Sequence, residues 1–258
     1  MCQLFDKYAH RYDLHTSPSH YQHDHRLVID LALERGLPCR MLDVGCGTGV
    51  LVKKARDVGI DAIGIDAAPR MVAVARQRLP ENAVRVERMQ DLAEHERYDL
   101  IVCLSWSLHY CADDHELGDI LRRMRAALVL GGVVLLQVAH GENVVSEWVE
   151  DRETGPTGIP EDVVFRFRFR PGGDRPRRMQ ADYAYFCGSE NEAFSETHTL
   201  AVTNASEISE AVARAGFDGV EIWDSWHRDP FATSASPFIC GRKPLAASAT
   251  ATGGKVRE

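Results

Sequence analysis

Met41-Leu42-Asp43-Val44-Gly45-Cys46-Gly47-Thr48-Gly49-Val50-Leu51 turns an apolar run into a glycine loop and then into the start of a helix. Met41, Leu42 and Val44 supply the packing side chains a buried strand needs. The glycines let the chain turn sharply and leave no Cβ between the backbone and a ligand. The helix that follows begins with unpaired N–H groups. A strand, a glycine turn and a helix in this order place a nucleotide-sized site at the carboxyl edge of a sheet.

The glycine spacing narrows the ligand. Gly45, Gly47 and Gly49 read G-x-G-x-G, and Val50 stands where a dinucleotide fingerprint, G-x-G-x-x-G, places its third glycine. With Asp43 two residues ahead of the first glycine, Asp-Val-Gly-Cys-Gly-Thr-Gly resembles motif I of the class I S-adenosylmethionine-dependent methyltransferases, in their small-molecule and natural-product branch. Cys46 replaces the alanine or glycine of better-known members and is small enough for the turn.

Outward from the loop, helical and strand signals alternate. A helix over residues 48–57 ends at Gly59. Residues 61–66 form a second strand ending in Asp66, about 20 positions beyond Gly45, where doubly wound nucleotide folds carry a ribose-binding acid. Pro69 suits the first turn of a helix carrying Met71. Residues 84–89 read as a third strand. Residues 98–104 are continuously apolar, as in a strand buried on both faces. Asp113 caps a helix to about residue 128, Gly131-Gly132 turns the chain, and 133–139 is a fifth strand. This alternation calls for a parallel sheet with right-handed crossovers.

Residues 141–203 break the rhythm. Residues 155–160 read as loop, and Phe165-Arg166-Phe167-Arg168-Phe169-Arg170 alternates with period two. With strands over 178–187 and 196–202, separated by turns at 171–174 and 189–192, it gives a three-stranded antiparallel flap. A helix capped by Ser206 and ended by Gly216 follows, then strands over 217–226 and 236–242. Two strands joined by a short loop must be antiparallel neighbours. The expected fold is therefore α/β: a Rossmann-like seven-stranded mixed sheet of order 3-2-1-4-5-7-6, with the flap inserted after the fifth strand. The organisation expected is N-terminal lid helices over 1–36, a core over 37–140 and 204–243, the flap over 141–203 and a disordered tail over 244–258. In the lid, Leu4, Phe5, Tyr8 and Tyr12 recur at helical spacing, residues 16–19 interrupt them, and Ser19 can cap the helix of residues 20–35.

Composition bounds the function. The chain has 258 residues, 45% of them hydrophobic, and a formal charge of −8, which argues against a nucleic-acid partner. Seven cysteines without C-x-x-C spacing fit free thiols in a reducing compartment. With no membrane-length apolar run and no signal-type apolar core, a cytoplasmic location is expected. A homodimer is compatible with this reading.

The resemblance implies S-adenosyl-L-methionine as cofactor and in-line methyl transfer to an oxygen or nitrogen of a small-molecule acceptor. It assigns cofactor contacts to Tyr21, Asp43, Gly45, Cys46, Gly47, Thr48, Gly49, Asp66, Ala67, Met71, Gln90, Leu104, Ser105 and Trp106. It implies Asp91 at the adenine amine and the Leu92 backbone at a ring nitrogen. His109 and His140, at the carboxyl edge, are the candidate catalytic bases, with plain packing as the alternative for each. Trp106 and Tyr110 border the adenine or the acceptor, or belong to the core. His20, His23, Asp24 and His25 look metal-like but do not share a helix face, so no metal is expected. The flap arginines, Arg166 through Arg178, read as a solvated face. Two rivals are a non-catalytic S-adenosyl-ligand-binding module and a nicotinamide-dependent oxidoreductase; the latter lacks both its fingerprint and a hydride-transfer dyad.

Overall fold

The computed structural model describes residues 3–15, 19–144, 146–153, 162–172 and 178–245. The expected loop at 155–160, Arg175, Arg177 and the tail from 246 onward lie outside them. In chain order the elements are α1 (Tyr12–His15), α2 (Gln22–Glu34), β1 (Arg40–Val44), α3 (Val50–Asp57), β2 (Asp61–Asp66), α4 (Pro69–Ala75), β3 (Val84–Val86), β4 (Tyr98–Cys103), α5 (Asp114–Ala127) and β5 (Leu128–Gln137). They continue with β6 (Val149–Glu153), β7 (Val163–Pro171), β8 (Arg178–Cys187), β9 (Glu192–Ala201), α6 (Ala205–Arg214), β10 (Asp218–Trp223) and β11 (Phe238–Arg242).

Seven strands form the main sheet in the order β3-β2-β1-β4-β5-β11-β10. The first five are parallel, and β11 runs antiparallel to both β5 and β10. Written by core strands alone, this is the expected 3-2-1-4-5-7-6. Side chains alternate across β1, so Leu42 packs with α5 and α6 on one face while Met41 packs with α2, α3 and α4 on the other. Both faces are covered, which explains why β1, β4 and β5 read as nearly unbroken apolar runs.

Some local expectations are corrected. Tyr21, not Ser19, stands at the N-cap of α2. Asn204, not Ser206, caps α6, its side chain accepting from the N–H groups of Ser206 and Glu207. Strand β3 stops at Val86 because a short 3-10 turn, Met89–Asp91, follows it. Strand β5 begins at Leu128 and runs through Gly131-Gly132, its pairing with β4 shifting between Tyr98 and Leu100. Asp113 caps α5 as expected, accepting from Glu116 N–H.

The flap has four antiparallel strands, β6-β7-β8-β9, rather than three. Its extra strand, Val149-Glu150-Asp151-Arg152-Glu153, carries no apolar alternation because it is a charged edge strand. The N-terminal segment is clamped to the flap. Leu4 and Tyr8 pack with Val163, Phe165, Tyr185 and Phe194. Arg11, 5% exposed, reaches the Tyr185 hydroxyl and the carboxylates of Glu190 and Glu192. Flap and N-terminal segment thus roof the carboxyl edge of the main sheet.

Candidate active site

Beneath that roof lies a cavity of about 740 Å³, a size typical of cofactor and small-molecule sites. The glycine loop forms its floor. Gly45 (φ 76°) and Gly49 (φ 77°) adopt the left-handed conformation, and a Cβ would lie 2.6 Å from Ser107 Oγ at Gly45 and 2.6 Å from Leu79 Cδ1 at Gly49. Any side chain at either position is both strained and obstructed. The loop is hung from β2: Gly45 and Cys46 N–H donate to Ile65 O at 2.8 and 3.0 Å, and Gly47 N–H donates to Asp66 Oδ2 at 2.9 Å.

Two carboxyl groups meet there. Asp43, 4% exposed, and Asp66 both line the cavity. Burial, reinforced by the charge of Asp66, pushes the Asp43 carboxyl up to about 7. Burial also raises Asp66, partly offset by hydrogen bonds from the N–H groups of Ala68 and Gly47. Among the described residues no lysine, arginine or histidine forms an ion pair with either. A ligand carrying positive charge relieves this arrangement, whereas a pyrophosphate is repelled by it. The two carboxyls therefore suit a cationic ligand better than a phosphate-rich one.

The lid contributes further groups. Thr48 Oγ1 donates to Asp13 Oδ1 at 2.6 Å, and Arg78 holds the other Asp13 oxygen at 2.5 Å, tying the N-terminal segment to the glycine loop. Tyr21 lines the cavity, and its phenol is raised, chiefly by burial and partly offset by a hydrogen bond with Ser105. Asp24 accepts from Gln137 Nε2 at 2.8 Å, and Gln137 Oε1 accepts from Ser105 N–H at 2.9 Å. Burial raises the Asp24 carboxyl, Gln137 opposing it. Ser105 and Trp106 follow β4 with φ of 50° and 62°, a strained pair for non-glycine residues. Trp106 Nε1 donates to Ser236 Oγ at 2.9 Å, which holds the indole over the cavity. Phe165, Phe167, Phe169 and Tyr183 add an aromatic wall from the flap.

Of the residues expected at the cofactor, Tyr21, Asp43, Gly45, Cys46, Gly47, Thr48, Asp66, Ala67, Met71, Gln90, Leu104, Ser105 and Trp106 line this cavity. Gly49 sits behind it as the N-cap of α3. Asp91 is exposed outside it, and Leu92 is core, 1% exposed. The short 3-10 turn directs Gln90 and Arg88, rather than Asp91, to that end of the cavity.

The candidate bases are also displaced. His109, 1% exposed, lies outside the lining, with Nε2 accepting from Ala139 N–H at 2.7 Å and Nδ1–H donating to Ala201 O at 2.8 Å. Both ring nitrogens are spent joining β4, β5 and β9, and burial lowers its pKa to about 4. His140 is likewise outside the lining; its Nδ1 accepts from Ala205 N–H at 3.2 Å, and its ring packs edge-on against Phe231. Among the described residues no cluster of His, Cys, Asp and Glu converges on a metal-sized point. His23 instead stacks on Trp226, and His25 is buried beside Lys54.

Asp13, Asp24, Gln137 and the flap aromatics join the cavity without having been marked by sequence. The only hint was compositional: Asp24 lies in the His-rich stretch at the start of α2, and the aromatics alternate along β7.

Residues 41–132 match the family model described as a methyltransferase domain. A ubiquinone biosynthesis O-methyltransferase of Azorhizobium caulinodans is 33% identical over 126 residues, 47% of this chain and 46% of that protein, so this alignment spans about half of the relative. A dTDP-4-amino-2,3,4,6-tetradeoxy-D-glucose N,N-dimethyltransferase of Saccharopolyspora spinosa is 25% identical over 68% of this chain and 70% of its own. The solved sugar N-methyltransferase KedS8 from Streptoalloteichus sp ATCC 53650 superposes with a TM-score of 0.70 at 25% identity, covering 87% of this chain and 88% of that one. Sheet order, glycine loop and these likenesses agree: residues 41–132 carry a methyltransferase domain, and the chain is similar in fold to class I S-adenosylmethionine-dependent methyltransferases.

Proposed function

We propose that the protein transfers a methyl group from S-adenosylmethionine to an oxygen or nitrogen of a small-molecule acceptor. The observation that carries this reading is the buried Asp43–Asp66 pair on a G-x-G-x-G floor. It favours a cationic nucleotide over a phosphate-rich one. The sulfonium supplies an already activated methyl group. The protein's own task is to exclude water and align the acceptor, and such positioning accounts for most of the effect in reactions of this kind.

The acceptor half of the cavity supports a small molecule. Trp106, Phe167, Phe169 and Tyr183 offer flat apolar surface, and Asp24, braced by Gln137, offers a charge or hydrogen-bond acceptor. The relatives' names span O- and N-methylation, so both classes belong in the acceptor panel. The net charge of −8 and the acidic floor support an acceptor other than nucleic acid.

Calorimetry with S-adenosylmethionine, S-adenosylhomocysteine and NAD tests the cofactor. Binding of the adenosyl ligands alone is the expected result, and binding of NAD in their place overturns the reading. Incubation of methyl-labelled cofactor with a panel of amines, amino sugars, phenols and alcohols then tests turnover. Tight cofactor binding with no labelled product from any acceptor favours a binding module over an enzyme.

A further inference from the structure

With His109 and His140 outside the cavity, the acceptor's proton needs another route. A chain of side chains running from the loop after β4 to the flap provides it. Tyr110, just beyond β4, borders the cavity. Its phenol oxygen lies 2.5 Å from His198 Nδ1, and His198 Nε2 lies 3.0 Å from Glu196 Oε1. Glu196 also accepts from the N–H groups of Gln3 and Leu4 at 2.7 and 2.9 Å. The side chains of His198 and Glu196 are only 7% and 12% exposed. The rings of Phe5 and Tyr183 enclose the imidazole at 5.5 and 4.9 Å between centroids.

With Glu196 ionised, these contacts have a consistent arrangement. An ionised Glu196 only accepts, so His198 carries its hydrogen on Nε2 and presents a lone pair at Nδ1. The Tyr110 hydroxyl therefore donates to Nδ1, and its oxygen keeps acceptor capacity on a residue that borders the cavity. A hydroxyl that reaches substrate, a base behind it and a carboxylate that orients the base form the geometry by which proteins activate a weak nucleophile.

We propose that Tyr110, His198 and Glu196 form the proton outlet for the methyl acceptor, with Tyr110 as the catalytic residue and the other two as positioning residues. The inference rests on the methyl-transfer reading above. As the acceptor X–H bond breaks, its proton passes to the Tyr110 oxygen while the Tyr110 proton moves to His198 Nδ1. The electron pair left on X forms the new X–CH₃ bond, and the C–S pair stays on sulfur, giving a neutral thioether. His198 is then an imidazolium held against Glu196 and returns its proton to solvent. Titratable groups facing His198 include Tyr110, Glu196 and Tyr183, and a carboxylate beside the ring assists its taking up a proton.

Two measurements test the assignment. In the first, long-range ¹H–¹⁵N spectra of the full chain saturated with S-adenosylhomocysteine should show His198 as the Nε2–H tautomer. Its Nδ1 resonance should move towards that of an unbonded ring nitrogen in Tyr110→Phe. An Nδ1–H tautomer, or an Nδ1 resonance untouched by that substitution, overturns the chain of hydrogen bonds. In the second, initial rates use a molecule that the wild type methylates in the acceptor panel. Tyr110→Phe and His198→Gln should each lower kcat by about 10²-fold or more, with the KM for cofactor unchanged. The rise of kcat with pH should disappear in His198→Gln, and Glu196→Gln should shift it to lower pH. Wild-type turnover with Tyr110→Phe within twofold of it overturns the relay alone. Absence of turnover by the wild type overturns the methyl-transfer reading, and the relay's catalytic role with it.

Discussion

Replacing Asp43 by asparagine should make the protein more stable and a poorer binder of its cofactor. The carboxyl is 4% exposed, and burial with Asp66 nearby lifts it from 3.8 to about 7. A shift of that size corresponds to about 4 kcal/mol of differential interaction. Its sign follows from proton counting. Below pH 3.8 both folded and unfolded forms are protonated, and the group has no effect. Between 3.8 and about 7 the unfolded chain ionises while the native group holds its proton, so stability falls as pH rises. Above about 7 the full cost is present. Asp43→Asn removes it, and the thermal midpoint of the cofactor-free protein at pH 8 should rise by several degrees. The cofactor should respond in the opposite sense. With a pKa of about 7, roughly ten unliganded molecules are protonated for each ionised one at pH 6, and about one for ten at pH 8. If a cationic ligand needs the ionised form, wild-type affinity for S-adenosylmethionine should be about tenfold weaker at pH 6 than at pH 8. Asp43→Asn should flatten that dependence and weaken binding at pH 8 by about 10–100-fold, the loss of one charge-assisted interaction. Calorimetric titration across this range decides it. Equal affinity for the two proteins at pH 8, or a flat wild-type profile, refutes the assignment of Asp43 as counter-charge.

Other perturbations probe neighbouring parts of the site. Asp66→Ala removes the acceptor of Gly47 and Ala68 N–H, so cofactor affinity should fall about 10–100-fold while the circular dichroism spectrum holds; unchanged affinity removes Asp66 from the site. Gly49→Ala combines a left-handed residue with a Cβ at 2.6 Å from Leu79 and 3.0 Å from Ala75, so urea unfolding should show a loss of about 2–5 kcal/mol. Arg78→Ala frees Asp13 from one of its two anchors, and stopped-flow release of cofactor should quicken several-fold; a rate within twofold of wild type argues against the lid. His109 is held neutral, its pKa lowered from 6.5 to about 4, so it resists protonation while the unfolded chain takes a proton. Above pH 6.5 both forms are neutral and the group has no effect; as pH falls towards 4 it comes to cost about 3 kcal/mol. His25, also lowered to about 4, acts in the same sense. His109→Gln should therefore reduce, not abolish, the acid slope of the unfolding midpoint.

The legible half of the molecule is the half built from short-range pattern. Strand β1, the glycine turn and α3 are contiguous, and Asp66 follows after a single helix, so one window of sequence holds most of the cofactor floor. Asp91 misled because family position says which segment approaches the adenine, whereas the 3-10 turn at Met89–Asp91 decides which of its residues faces inward. Strand β6 was invisible because an edge strand needs backbone partners rather than an apolar face; Glu150 meets Arg166 across β7, and neither residue signals a strand alone.

The histidines show a different limit. Edge position marks His109 and His140 equally well as catalytic or as structural, because the carboxyl ends of β4 and β5 are also where buried loops leave backbone groups to satisfy. At His109 the need of Ala139 N–H and Ala201 O prevails, since leaving either unpaired costs about 1–3 kcal/mol. The residues placed to handle the acceptor are separated instead by long stretches of chain: Tyr110 and His198 by 88 positions, Gln137 and Asp24 by 113. No periodicity links such partners; the flap's four-strand register brings His198 to Tyr110, and the docking of α2 brings Asp24 to Gln137. The donor site is thus written in one motif, which the fold requires in any case. The acceptor site is written in the docking of lid and flap on that motif, so acceptor specificity can change through β7–β9 and the N-terminal segment while Asp43 and Asp66 stay where β1 and β2 hold them.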